Sequence, residues 1–155
     1  MQFGIRDEEF IRGKVPMTKA EIRAMVMVKA GIRPEDRVAD IGAGTGSISI
    51  EAALAASKGE VYAIERNPEG IRLIEENAEK FGLKNIHTIK GVAPAAMDGL
   101  PPLDVVIIGG SSGNMHEILD RAEALLPKGG RIILTAVTAE TTGEVVREFE
   151  NRPFA

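Results

Sequence analysis

The chain has 155 residues, a length typical of one folded domain, and 44% of them are hydrophobic while 27% are charged. It contains no cysteine and only two histidines, which excludes a disulfide scaffold and thiolate chemistry and leads us to expect no metal site. The net charge of −4 argues against a nucleic-acid partner. No apolar run approaches the ~20 residues of a membrane span, so we expect a cytoplasmic protein without a membrane partner.

The apolar spacing predicts an alternation of helices and strands. In chain order, we predict a helix over residues 17–30, a strand over 37–41, a helix over 47–57, a strand over 60–65, a helix that Asn67 caps, Pro68 begins and Gly82 ends, strands over 85–89 and 103–108, a helix over 115–126, a strand over 131–137 and a helix over 141–149. Several of these strands are apolar on both faces. The pattern therefore predicts a single α/β domain over residues 1–155, in which helices cover both faces of a mostly parallel sheet.

The last predicted strand raises a packing question. In a doubly wound order, Ile132, Ile133 and Leu134 lie at or near an uncovered sheet edge, and no later segment of the sequence is left to pair with them. An apolar edge of this kind favours association. We therefore expect either a truncated chain or an oligomer that covers this edge.

A glycine-rich loop, Asp40-Ile-Gly42-Ala-Gly44-Thr-Gly46, follows the first predicted strand. Glycines at this position allow a sharp turn and let a ligand approach bare amides at the start of a helix. The dinucleotide fingerprint requires its third glycine where this chain has Ser47, and the Gly-Lys-Ser/Thr of a nucleotide triphosphate loop is absent. Nicotinamide and nucleotide triphosphate binding are therefore both disfavoured.

This loop resembles the first motif of the class I S-adenosylmethionine-dependent methyltransferases, which have a Rossmann-like fold. The resemblance implies a cofactor site that includes Asp40, Gly42, Ala43, Gly44, Thr45 and Gly46, with S-adenosylmethionine as the cofactor. In that class an acid at the end of the second strand accepts hydrogen bonds from both ribose hydroxyls, and Glu65 occupies this place. The resemblance implies that Asp40 orients the loop or meets the cofactor's ammonium group, whereas a plain helix cap is the simpler alternative.

Two further loops match landmarks of the class less closely. The segment Gly91-Val92-Ala93-Pro94 stands where these enzymes usually have Gly-Asp-Ala, whose Asp meets the adenine amino group. Because Val92 cannot accept that bond, we expect adenine recognition through the Ala93 backbone and apolar packing, with weaker or less selective binding. The loop that begins at Gly109 offers amides and hydroxyls to an anionic substrate, and we include Gly109 among the cofactor-binding residues; a flexible connection is the alternative.

A narrower resemblance covers nearly the whole chain, through Asp7–Phe10, Val15–Arg23, Tyr62–Pro68 and Ile108–Gly113. These segments are similar to those of the decarboxylating precorrin methyltransferases of cobalamin biosynthesis. The resemblance implies methylation of a ring carbon of a tetrapyrrole, removal of carbon dioxide from an acetate side chain, and a contribution of residues 1–16 to the active site. It also implies two further C-terminal strands that this chain lacks, a homo-oligomer such as a tetramer, and a partner methyltransferase domain.

Several residue roles stay open at this point. Thr18 begins a capping box with Glu21, and the family resemblance implies that Thr18 also contacts the cofactor. Candidate cations for a polycarboxylate substrate are Arg6, Arg12, Lys14, Lys19 and Arg23, although ordinary solvated side chains are the simpler interpretation for most of them. We expect His116 to be solvent-exposed or to touch substrate and His87 to be structural, and we assign no catalytic acid or base.

Two other functions share these features. A methyltransferase that acts on RNA or on isoaspartyl protein would carry the same cofactor motifs. A non-catalytic binding module is the other alternative, because Val92 replaces an acid and the C-terminal strands are missing.

Overall fold

The computed structural model describes residues 3–154, which form a parallel sheet between two layers of helices. The strands are β1 (Arg37–Ile41), β2 (Glu60–Glu65), β3 (Ile86–Lys90), β4 (Val105–Ile108) and β5 (Arg131–Leu134). The helices are α1 (Ala20–Ala30), α2 (Ser47–Ala55), α3 (Pro68–Lys80), α4 (Met115–Leu125) and α5 (Ala139–Glu150). Within residues 3–154, no helix is long and apolar enough to span a membrane.

The sheet has the order β3-β2-β1-β4-β5, and each pair of neighbours is parallel. Side chains alternate across it, because successive residues of a strand point to opposite faces. In β4, Val105 and Ile107 pack towards α1 and α2, whereas Val106 and Ile108 pack towards α4. Both faces of the sheet are therefore buried, which confirms the predicted α/β architecture.

The strand β5 lies at one edge of the sheet, where β4 is its neighbour. Its residues are half-buried, and Ile132 and Leu134 pack partly against the core together with Phe149 of α5. The predicted edge position is confirmed. The strand ends at Leu134, three residues earlier than expected, and α5 begins earlier than expected because the Thr138 side chain accepts from the Thr141 N–H.

The start of α1 differs from the prediction. The helix begins at Ala20, its N-cap is Lys19 with an extended backbone, and this cap makes no side-chain hydrogen bond. The expected capping box from Thr18 to Glu21 is therefore wrong. The reason is the buried guanidinium of Arg23, which donates to the Thr18 carbonyl and holds the preceding segment in place.

Arg23 also fixes the N-terminal segment to the domain. Its side chain is completely buried, pairs with Asp7 at 3.0 Å and with Glu51 at 3.3 Å, and lies 4.6 Å from the centre of the Phe10 ring. Glu51 in turn accepts from the backbone N–H of Gly4 at 2.6 Å. Because both carboxylates already hold it, Arg23 is a structural cation, and the expectation that it serves as a substrate cation is wrong.

Candidate functional site

A cleft of about 220 Å³ opens at the carboxyl ends of β1, β2 and β4, which is where parallel α/β sheets bind ligands. It is lined by Ile41, Gly42, Ile64, Glu65, Arg66, Gly91, Val92, Ala93, Gly110, Ser111, Ser112 and Ile118. The cleft thus joins the glycine-rich loop, the end of β2 and the loops that follow β3 and β4.

The glycines of the first loop are required by its shape. Gly42, Gly44 and Gly46 all have positive φ angles, of 73°, 59° and 80°. A Cβ atom on Gly42 would lie 2.7 Å from the backbone nitrogen of Gly110, and one on Gly46 would lie 2.8 Å from a side-chain carbon of Ile74. Glycine at position 42 therefore lets the loops after β1 and β4 come together at the cleft, and glycine at position 46 lets α3 pack against the loop.

The carboxylate of Glu65 is held in place by two backbone amides. Its Oε2 accepts from the Gly44 N–H at 2.7 Å, and its Oε1 accepts from the Asn67 N–H at 2.9 Å. An ionised carboxylate has about four lone-pair positions, so each oxygen can accept a further hydrogen bond. Glu65 therefore presents an oriented double acceptor to the cleft.

Asp40 lies beneath the glycine-rich loop. Its carboxylate is buried, and the Ser49 hydroxyl of α2 donates to its Oδ2 at 2.5 Å. Burial raises the pKa of Asp40 to about 6; the Ser49 hydrogen bond opposes this shift, and the negative charge of Glu65 adds to it. Because Ser49 lies in the first turn of α2, Asp40 holds the start of the helix that follows the glycine-rich loop, which is closer to the helix-cap alternative.

The wall opposite Glu65 is formed by the loop after β3. Val92 is 40% exposed, so an apolar surface faces the cleft where the methyltransferase class usually has an acid. The carbonyl of Ala93 accepts from Asn114 Nδ2 at 3.0 Å, which ties this loop to the start of α4. The wall can therefore meet a flat ring by packing and by the Ala93 N–H.

Four of the predicted site residues line the cleft: Gly42, Glu65, Val92 and Ala93. The other members of the glycine-rich loop form its support, namely Asp40, Ala43, Gly44, Thr45 and Gly46. These five residues do not line the cleft themselves, and neither do the last two predicted residues, Gly109 and Thr18. Gly109 and Gly110 both donate their N–H groups to the Ile41 carbonyl, at 2.8 and 3.3 Å, and of the two only Gly110 lines the cleft. Thr18 lies just before α1.

Three supporting residues were not predicted from the sequence. A Cβ atom on Gly70 would lie 2.7 Å from Glu65 Cγ and 2.8 Å from the Gly44 carbonyl oxygen, so glycine there lets α3 approach the site. Asn114 ties the loops after β3 and β4 together. The only sequence signal for Gly70 was a glycine in the first turn of a helix, where other residues are preferred.

Asn77 is the third of these residues and is completely buried in α3. Its side-chain oxygen accepts from the Ile11 N–H at 2.8 Å, and its side-chain nitrogen donates to the carbonyls of Ile11 at 3.2 Å and Thr45 at 3.3 Å. Asn77 thereby connects the N-terminal segment to the glycine-rich loop. The sequence signal for Asn77 was an asparagine at a position of α3 where the helical spacing calls for an apolar residue.

The two histidines lie outside the cleft lining found among residues 3–154. His87 of β3 contacts Glu60 at 2.6 Å and stacks on Tyr62, which agrees with the structural role expected for it. His116 is exposed at the start of α4, and its Nδ1 lies 2.9 Å from Glu148 of α5, a contact that raises the pKa of the imidazole. His116 therefore joins α4 to α5.

Comparison with known proteins adds an independent finding. A family model described as "Precorrin methyltransferase domain" matches residues 9–152. A probable cobalt-precorrin-6B C(15)-methyltransferase (decarboxylating) of Saccharolobus solfataricus is 43% identical over 155 residues, which cover 97% of this chain and 78% of that protein. The cobalt-precorrin-6B C(15)-methyltransferase (decarboxylating) of Salmonella typhimurium is 42% identical over 137 residues, which cover 88% and 70%.

A solved structure shows the same arrangement. The crystal structure of precorrin-6Y C5,15-methyltransferase from Geobacter metallireducens superposes with a TM-score of 0.93 and 38% identity, covering 99% of this chain and 80% of that one. The strand order, the glycine-rich loop and these similarities agree on the class I methyltransferase fold. This chain therefore belongs to the precorrin methyltransferase family and is a methyltransferase.

Proposed function

We propose that this chain transfers a methyl group from S-adenosylmethionine to a ring carbon of a precorrin or cobalt-precorrin, and removes carbon dioxide from an acetate side chain of the same ring, in cobalamin biosynthesis. The relatives named above supply the substrate class and the decarboxylation. The observation that carries the proposal is the Glu65 carboxylate, which two backbone amides orient into the cleft beside the glycine-rich loop.

The residues of the cleft fit this cofactor. Glu65 would accept hydrogen bonds from the ribose hydroxyls, because both of its oxygens keep acceptor capacity. Val92 would pack on the adenine ring, and the Ala93 N–H would contact the ring edge. The backbone of the loop from Gly42 to Gly46 would border the methionine part, with Asp40 fixing the start of α2, which follows this loop.

A second proposal concerns the remaining predicted contacts. Thr18 and Gly109 lie outside the cleft lining, so we propose that they act by holding the ends of α1 and β4 beside the site. Residues 11–16 cross the glycine-rich loop, since Pro16 and Val15 lie within 4 Å of the position that a Cβ atom on Gly44 would take. This contact supports a contribution of the N-terminal segment to the active site.

In the proposed reaction the cofactor, the substrate and the protein each contribute a different part. S-adenosylmethionine, when bound, supplies a methyl group that its sulfonium already activates. The chain's task is to hold the ring carbon in line with that methyl group and to exclude water. Loss of carbon dioxide breaks a carbon–carbon bond of the acetate arm, its electron pair enters the conjugated ring, and a proton from solvent completes the new methyl group.

An anionic substrate requires local positive charge and hydrogen-bond donors in an acidic protein. Arg66, Ser111 and Ser112 line the cleft and offer these groups. Arg12 and Lys14 lie in the N-terminal segment, where the Lys14 N–H donates to Glu69 of α3 at 3.3 Å. We propose these five residues, rather than the buried Arg23, as the groups that face the substrate carboxylates.

The test is incubation of the purified protein with S-adenosylmethionine and cobalt-precorrin-6B, followed by mass spectrometry of the ring product. We expect a product that has gained CH₂ and lost CO₂. Methylation of RNA or of an isoaspartyl peptide without any change in the tetrapyrrole would contradict the proposed substrate class. Calorimetry that detects binding of NADH but no binding of S-adenosylhomocysteine to the folded protein would contradict S-adenosylmethionine as the cofactor.

A further inference from the structure

The wall of the cleft after β3 presents an apolar side chain and an unpaired hydrogen-bond donor. Val92 lines the cleft, and its half-exposed side chain offers a ligand no hydrogen-bonding group. Ala93 is buried, and within residues 3–154 its N–H donates to no acceptor, although buried backbone amides are nearly always paired. This wall therefore has a donor that an acceptor atom of a ligand can satisfy.

The backbone acceptors of Val92 and Ala93 are already engaged. The Val92 carbonyl accepts from the Ala96 N–H at 3.0 Å, and the Ala93 carbonyl accepts from Asn114 Nδ2 at 3.0 Å. Among the cleft residues found within residues 3–154, Glu65 is the only carboxylate, and it is the group proposed above for the ribose hydroxyls. A ring that packs on this wall therefore meets a donor at its edge but no side-chain acceptor from the loop after β3.

We propose that the cleft binds the base of its cofactor through the ring face and the N1 atom, and makes no hydrogen bond to the 6-amino group. Val92 packs against one face of the ring, and the Ala93 N–H donates to N1. A purine nucleoside that lacks the 6-amino group is then as good a ligand as one that carries it. This inference rests on the proposed function, because it concerns the base of S-adenosylmethionine, and it makes residue 92 the position that determines base selectivity.

The expected affinities follow from the hydrogen bonds that each base can form. Where an amino group donates to a carboxylate, its removal lowers the affinity about tenfold or more. Against an apolar wall the same group has no acceptor, so its removal should change the affinity by less than about threefold. Replacement of N1 by a C–H group leaves the Ala93 N–H without a partner and should lower the affinity about tenfold.

Calorimetry of the wild-type protein with S-adenosylhomocysteine, its analogue with hydrogen in place of the 6-amino group, and its 1-deaza analogue tests these expectations. We expect the first two ligands to bind within about threefold of each other and the 1-deaza analogue to bind about tenfold more weakly. A 6-deamino analogue that binds at least about tenfold more weakly than S-adenosylhomocysteine would overturn the inference and leave the proposed function intact. A 1-deaza analogue that binds as tightly as S-adenosylhomocysteine would contradict the Ala93 contact. Binding of none of these ligands to the folded protein would overturn the proposed function itself.

The substitution Val92→Asp supplies the acceptor that the wall lacks. Aspartate is close to valine in size, and the exposed position keeps the new carboxylate in contact with water. We expect Val92→Asp to bind S-adenosylhomocysteine about tenfold or more tightly than the 6-deamino analogue, because only the amino group can donate to the carboxylate. The ratio of the two affinities within one variant is the readout, so a general loss of binding does not affect it. Equal affinities in Val92→Asp would show that residue 92 does not face the 6-position, and would overturn the inference.

Two further variants are the controls. Val92→Ala removes part of the apolar face and should weaken the binding of both ligands by the same factor, about threefold. Val146→Asp makes the same change of side chain at a 50% exposed position of α5, outside the cleft lining, and should leave both affinities unchanged. Urea unfolding without ligand verifies that each variant is folded. A preference for S-adenosylhomocysteine in Val146→Asp as large as that in Val92→Asp would assign the effect to net charge and overturn the role of residue 92.

Discussion

Asp40 is a buried carboxylate whose ionisation opposes folding. Its pKa is raised from 3.8 to about 6, chiefly by burial. Because the folded value is the higher one, Asp40 favours the folded state below pH 4, and this contribution is lost as the pH rises through about 6. A shift of this size corresponds to about 3 kcal/mol of unfolding free energy.

The first prediction concerns Asp40→Asn, which keeps an acceptor for Ser49 but cannot ionise. Relative to the wild-type protein, we expect the free energy of unfolding of this variant to rise by about 2 kcal/mol between pH 4 and pH 7.5. Urea unfolding at both pH values measures this difference between the two proteins. A stability difference that is the same at both pH values would show that the carboxylate titrates normally.

The second prediction concerns Asn77, which joins Ile11 to the carbonyl of Thr45. In Asn77→Ala these buried groups lose their partner, so we expect a loss of about 2–4 kcal/mol in unfolding free energy. We also expect weaker binding of S-adenosylhomocysteine, because the glycine-rich loop loses its tie to α3. Urea unfolding and calorimetry measure the two effects.

Asn85 supplies a matched control for Asn77. Its side-chain nitrogen likewise donates to backbone carbonyls, those of Ala53, Ala56 and Gly59, but Asn85 precedes β3 at the end of the sheet away from the cleft. We expect Asn85→Ala to lose stability while its affinity for S-adenosylhomocysteine is unchanged. Equal losses of affinity in both variants would assign Asn77 a purely global role.

Among the elements, α3 and α5 each contain one glycine, and the two glycines have different surroundings. Gly70 lies against Glu65 and the Gly44 carbonyl, whereas the nearest atom to a Cβ on Gly143 would be the flexible end of Arg147, at 3.4 Å. Alanine is favoured over glycine in a helix by about 0.5–1 kcal/mol. The surroundings therefore decide whether replacement of each glycine by alanine raises or lowers the free energy of unfolding.

The third prediction follows from this contrast. We expect Gly143→Ala to raise the free energy of unfolding by about 0.5–1 kcal/mol. We expect Gly70→Ala to lower it by about 1–3 kcal/mol, since the new methyl group must displace backbone, and to weaken binding of S-adenosylhomocysteine. Thermal and urea unfolding of both variants test this, and a stabilising Gly70→Ala would show that α3 can move away from the site without cost.

The elements also show what sequence patterns could and could not predict. The bounds of β1 and β2 and the Asn67 cap of α3 agree with the sequence, because local glycines, prolines and apolar runs determine them. The start of α1 could not be predicted in this way. It depends on Arg23, whose burial requires Asp7 and Glu51 from distant parts of the chain.

The same division applies to the candidate site. Glu65 and the glycines of the first loop could be predicted, since they match motifs of the class that the chain resembles, and Glu65 and Gly42 line the cleft. The supports Gly70, Asn77 and Asn114 could not, because each acts on a loop that only the folded sheet brings near it. Sequence motifs identify groups that line the cleft more readily than groups that hold those residues in place.

At the scale of the whole molecule, the parallel sheet brings loops from β1, β2, β3 and β4 to one edge, and the cleft lies there. A ligand that binds only the folded protein raises its free energy of unfolding, by about 2.7 kcal/mol at a concentration of 100 times the dissociation constant. Binding of a ligand in the cleft can therefore be measured as an increase in the unfolding free energy of the whole domain. This increment is independent of how stable each variant is without ligand.

The fourth and most direct prediction uses this increment in Glu65→Ala. Glu60→Ala is the matched control, because Glu60 begins the same strand that Glu65 ends and contacts His87 away from the cleft. Removal of a charged acceptor for two hydroxyls should weaken binding about 100-fold or more. The measurement is urea unfolding of the three proteins with and without S-adenosylhomocysteine. We expect the ligand to stabilise the wild-type protein and Glu60→Ala equally and to stabilise Glu65→Ala hardly at all. Full stabilisation of Glu65→Ala would contradict the proposed cofactor site.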